Sequence, residues 1–180
     1  MKKYELTDET TTVEGKTLYR IKSLRDFEDV KKGELGGFIE SEDNLSQDNN
    51  CWIYSEALVF ENARVSGDSE VFGNAKVFDH ATISDIAKVG GNTELFGYAR
   101  IFGDAKVSDN AKISGNAGIS NDSWVYENAE VSGNVRVFES SKIYGNAKVG
   151  GNVAISGNAE VFGNIELSGN NKISGNSKIC

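Results

Sequence analysis

From Ile53 to Ile179 every sixth residue is Ile, Val or Leu, an unbroken row of 22 aliphatic positions. A fixed short period held this long admits few folds, and a hexapeptide period marks a β-helix. Two residues before each aliphatic runs a second row of small residues, among them Ala57, Ala63, Ala75, Ala81, Ala87, Ala99, Ala105 and Ala111. Side chains two apart on a strand share a face, so both rows point inward and the residue between them points out. Between strands the chain must turn, and Gly-Asn, as at Gly73-Asn74, supplies the corner. Gly adopts positive φ freely, and Asn is the non-glycine residue that most readily follows it there. Asn takes the second corner position in 13 of 21 corners and Asp in three. Three such hexads close an 18-residue triangular coil. The expected fold is therefore all-β: a single-stranded parallel β-helix of about seven coils over residues 51–180, with three strands per coil.

The 18-residue coil stacks i on i+18 and makes two checks. One face reads Lys76, Glu94, Lys112, Glu130, Lys148, Glu166, an alternation of charge worth a few tenths of a kcal/mol per adjacent pair (~0.2–1). Another reads Arg64, Thr82, Arg100, Gly118, Arg136, Ala154, in which every Arg has small neighbours. The formal net charge is −8, yet all eleven basic residues of the repeat sit at outward mid-strand positions while ten of its fifteen acids sit at corners. Interleaved signs leave no broad basic surface, so nucleic acid is not an expected partner. No apolar run is long enough to span a membrane, and no secretory-type start is present, so a cytoplasmic protein is expected, in a bacterium or a phage-infected host cell. Two distant cysteines, Cys51 and Cys180, make no disulfide framework.

Residues 1–50 do not repeat and are expected to form an N-terminal cap. Thr10–Val13 and Lys16–Ile21 alternate around Glu14-Gly15 as a hairpin. Asp26 to Gly33 reads as a short helix with an Asp N-cap and a Gly stop. A solenoid end exposes strand edge and core, so a cap has a clear purpose. At the other end Lys178, Ile179 and Cys180 stop mid-repeat, a candidate end-to-end interface between copies.

These repeats resemble the hexapeptide-repeat β-helix family, which implies left-handed coiling; the period itself carries no handedness. The stretch from Arg25 to Glu40, followed by Asn44-Leu45-Ser46 and Cys51-Trp52-Ile53, is similar to the head of the YdcK-like proteins found in enteric bacteria, phages and prophages. That resemblance covers essentially the whole chain and implies an acyltransferase label that rests on fold, which does not carry function.

Where the repeat departs from its own pattern, function is sought. The residue after the aliphatic is aromatic ten times, and Phe60, Phe78 and Phe96 fall in one column. His80 and Tyr98 replace Asn on one edge, and Ile86 replaces the usual polar residue on the next. Phe60, Phe78, His80, Ile86, Phe96 and Tyr98 are thus the candidate protein-interaction surface, since contiguous exposed aromatic area marks such sites. The leading expectation is a non-enzymatic rigid scaffold, a homo-oligomer or a binder of another protein, without cofactor. The alternative, implied by the resemblance, is an acyltransferase using acyl-CoA with His80 as general base. With a single His the chain cannot supply the three zinc ligands of a γ-type carbonic anhydrase. Thr is confined in the repeat to Thr82 and Thr93, which rules out an ice-binding face.

Overall fold

The computed structural model describes residues 2–180. An antiparallel hairpin, β1 (Tyr4–Val13) and β2 (Lys16–Ser23), leads to β3 (Leu35–Ile39). Then come 22 two-residue strands at six-residue intervals, from β4 (Trp52–Ile53) to β25 (Lys178–Ile179). They stack in parallel as the three faces of a solenoid of about eight turns. Pairing is at i and i+18 throughout, as in Val77 with Leu95 and Leu95 with Ile113. The aliphatic and small rows are buried along the whole axis as one core. The expected β-helix and its 18-residue coil are therefore observed.

The corners work differently from the Gly-Asn argument. The left-handed residue is always the first corner position, mostly Gly or an acid, with Ser55 and Asn121 the two others: φ is +70° at Gly73, +56° at Asp79 and +61° at Asp109. The Asn that follows has another task. Its amide donates to the next Asn one coil on, from Asn74 to Asn92, Asn110, Asn128, Asn146 and Asn164 at 2.7–3.1 Å. Such amide ladders are a stabilising device of stacked parallel strands.

Acids at the first corner position do a related job. Each carboxylate accepts the backbone N–H of the corresponding corner one coil on: Glu61 from Asp79, Asp79 from Gly97, Asp85 from Gly103 and Asp109 from Glu127, at 2.9–3.0 Å. This accounts for six of the ten corner acids: Glu61, Asp79, Asp85, Asp109, Glu127 and Glu139. A charge-assisted bond to backbone offsets the cost of a non-glycine residue at positive φ.

The charged column of Lys76 to Glu166 lies in register, but it resolves into pairs. Lys112 reaches back to Glu94 at 3.0 Å and Lys148 to Glu130 at 3.3 Å, each to the coil before. Both partners are well exposed, so each pair contributes at most about 1 kcal/mol.

The N-terminal segment is less separate than expected. The hairpin forms as the sequence reading has it, with Glu14 and Gly15 both at positive φ. It continues one solenoid face, because β2 pairs antiparallel with β3 and β3 pairs parallel with β5 (Leu58–Val59). Coiling thus begins at Leu35, well before residue 51. Gly36 and Gly37 disguise this first strand. A Cβ on either would lie 2.5 Å from a carbonyl oxygen of the next coil, so the position demands glycine and breaks the repeat pattern.

The helix expected from Asp26 to Gly33 is absent. Phe27 and Val30 instead exchange both backbone bonds in a tight antiparallel bridge, and Asp26 accepts from the Lys32 N–H at 2.8 Å. Phe27 and Val30 are both buried, and the turn packs Phe27 edge-on against Trp52. Burial of two apolar residues three apart outweighs local helix propensity.

Lys3 fills the end of the core. It is fully buried, and its ammonium donates to the Cys51 carbonyl at 2.9 Å and lies 3.2 Å from Cys51 Sγ. Burial lowers the pKa of Lys3 and raises that of Cys51, while each group's attraction for the other opposes the shift. Cys51 is a free, buried thiol of the core.

Candidate functional site

The second edge of the solenoid carries an Asn ladder through Asn116, Asn134, Asn152 and Asn170, at 2.8–3.0 Å. Towards the N-terminus two rungs are replaced. His80 and Tyr98 stack there, ring centroids 4.7 Å apart and planes within 3°. Ring stacking takes the place here of the amide bonding found elsewhere on this edge and holds the imidazole parallel to the Tyr98 ring. Both rings remain exposed, Tyr98 at 56%.

His80 lines a cavity of about 460 Å³ between the hairpin and the first coils. Lys16, Glu40, Glu61, Arg64 and Asp79 share that wall. The carboxylates are engaged in structure: Glu40 accepts the Glu61 N–H at 2.7 Å and Glu61 that of Asp79 at 2.9 Å. Lys16 lies 3.6 Å from both Glu40 and Glu61. The result is one imidazole beside fixed negative charge, with two cationic side chains across the opening. Sequence reasoning placed His80 at a corner but missed this wall. Part of the wall, Lys16, Glu40, Ser41 and Asp43, comes from the segment that obeys no period, and only its docking on the first coils brings it to His80.

The other candidate residues disperse. Phe60, Phe78 and Phe96 stack as expected, with centroids 5.2 Å apart at each step. Phe60, however, is 1% exposed, closed in by Leu18 and Phe38 beneath the hairpin, so it presents no surface. Phe78 and Phe96 are half-buried. Ile86 is exposed but lies on the third edge, beside Tyr54 and Lys88. Lys178 and Ile179 form the last strand, paired with β22 (Glu160–Val161), and Lys178 bonds Glu160 at 3.2 Å. Cys180 is exposed.

Among the described residues no group of three or more His, Cys, Asp or Glu is placed to hold a metal ion. Among the described residues no helix is long and apolar enough to cross a membrane.

No protein-family model matches the chain. Among curated proteins it is 36% identical over 80 residues to one named uncharacterized acetyltransferase YdcK, from Escherichia coli (strain K12). The match takes in 39% of this chain and only 24% of the length of that relative. With the parallel solenoid and its hexapeptide period, the match fits a hexapeptide-repeat family that includes an acetyltransferase-like relative.

Proposed function

We propose that the chain is a hexapeptide-repeat acyl-transfer module in which His80 is the general base. The observation that carries this reading is the position of the single imidazole. It lies on the wall of a cavity, stacked on Tyr98 so that the ring edge is free to meet an acceptor. The acetyltransferase name of the YdcK relative supports the same chemistry.

The donor is an acyl thioester of the acyl-CoA type. The lone pair of an acceptor hydroxyl or amine attacks the thioester carbonyl carbon as His80 removes the acceptor proton. The C–S bond then breaks, and the departing thiolate takes that proton back from the imidazolium. Lys16 and Arg64 line the same opening and offer cationic contacts for the anionic part of a donor.

The test uses His80→Asn, which restores the residue that this edge carries from Asn116 onward and so leaves the fold intact. Thiol release from acetyl-CoA over a panel of amines and alcohols should fall by about 10²–10⁴-fold in the variant. Unchanged turnover in His80→Asn, or no turnover in the parent, removes the proposal.

A second reading, a binding scaffold without chemistry, draws on the 56% exposure of Tyr98. In that case the parent is inert to acetyl-CoA, and Tyr98→Asn lowers the mass of the protein in solution by dissociating a second copy.

A further inference from the structure

Gly118 is the one glycine among the 22 outward mid-strand positions, and nothing in the fold requires it there. Its φ is not in the left-handed region, and a Cβ built on it would meet nothing within 4 Å. Gly90, by contrast, lies under the ring of Phe72, only 2.0 Å from where a Cβ would be. Glycine within a strand is destabilising relative to Ala, and where packing does not demand it, it marks close approach by a ligand or another backbone.

What surrounds Gly118 indicates what approaches. Arg100 and Arg136 flank it in direct register on the neighbouring strands. At strand spacings of about 4.7–4.9 Å the two guanidinium stems start roughly 10 Å apart, close enough for both side chains to converge on one anion lying over the glycine. Among the described residues neither Arg has an ion-pair partner, and no carboxylate lines the cavity of about 530 Å³ that they frame. In a chain of net charge −8 that is a local concentration of unspent positive charge. The adjoining wall is aromatic. Phe102 and Phe138 stand one coil to either side of Ser120, and Tyr98 closes the end. The Phe60–Phe78–Phe96 column shows that rings in this solenoid stack at 5.2 Å steps, coil upon coil. Ser120 leaves one such tier without a ring.

We propose that this hollow binds a phosphate ester of a planar aromatic group, of which a mononucleotide is a simple example. The phosphate lies over Gly118 between Arg100 and Arg136, and the ring takes the tier at Ser120 against Phe102 and Phe138. Paired, charge-assisted guanidinium contacts suit a dianion, and the aromatic wall suits a ring rather than a bare ion. The hollow shares no lining residue with the cavity at His80, although Tyr98, which closes its end, stacks on that imidazole.

Calorimetric titration with AMP, adenosine and inorganic phosphate, on the full chain, tests it. AMP should bind at least about tenfold more tightly than either fragment compound. Arg100→Gln and Arg136→Gln should each weaken AMP about tenfold or more. Gly118→Leu, which has room for its side chain and an ordinary backbone conformation, should abolish binding while the urea unfolding midpoint stays near that of the parent. The idea fails if AMP gives no saturable heat at millimolar concentration. It also fails if Gly118→Leu binds AMP normally, or if phosphate alone binds as tightly as AMP. Binding of adenosine as tight as that of AMP overturns the role of the two arginines. Throughout these titrations acetyl-CoA turnover by Arg136→Gln should match the parent, which separates failure here from failure of the transfer reading.

Discussion

Asn92 donates its side-chain amide to the side-chain oxygen of Asn110 at 3.0 Å, and Asn110 repeats the bond to Asn128 at 3.1 Å. The two residues are eighteen apart, one full turn of the solenoid. Each amide in the interior of this ladder both gives and receives, so removing one residue breaks two bonds.

Asn110→Ala should therefore cost about 1–2 kcal/mol, from two exposed bonds each near the low end of the net ~0.5–1.5 kcal/mol. The position has ordinary φ, so alanine adds no strain. Urea unfolding followed by circular dichroism measures this; a midpoint equal to that of the parent would show that the ladder contributes nothing.

Asp109 combines φ of +61° with a carboxylate that accepts the Glu127 N–H at 3.0 Å. Asp109→Ala keeps the strained backbone and loses the bond, at a cost of about 1–3 kcal/mol. Asp109→Gly loses the same bond and relieves the strain, so it should be the milder change. The order of the two unfolding midpoints checks the claim.

The Phe column gives a contrast within one structural feature. Phe60 is closed under the hairpin and Phe96 is half-buried. Phe60→Ala should cost about 3–5 kcal/mol and loosen the hairpin, read as faster amide exchange in β1 and β2. Phe96→Ala should cost about half as much or less and leave hairpin exchange unaltered.

Tyr4 is buried, donates to the Leu45 carbonyl at 2.7 Å, and has its phenol pushed up chiefly by burial. Its folded pKa lies above the unfolded value of about 10, so its contribution is intact below pH 10. Above that pH the unfolded chain loses a proton that the folded chain keeps, and stability falls as pH rises. Tyr4→Phe should be less stable than the parent by about 1–2 kcal/mol at pH 8, with the gap narrowing above about pH 10. A gap of constant size across that range would contradict the assignment.

The β-helix, its 18-residue coil, the buried aliphatic row and the stacked Phe60, Phe78, Phe96, His80 and Tyr98 were all legible in the amino-acid sequence. The reason is physical: in a parallel solenoid every long-range contact is a fixed sequence offset, so period alone carries tertiary information. The reading of Asn as the corner's left-handed residue failed because each position answers to the coil above it as well as to its own turn. Asn is selected at the second corner position for the amide it offers the next coil, and the acids beside it for a neighbouring backbone N–H. The turn at Phe27 and Val30, the early first strand at Gly36-Gly37 and the wall facing His80 were decided only in three dimensions. Residues 2–50 follow no period, and their conformation is set by how they close one particular end of one particular core.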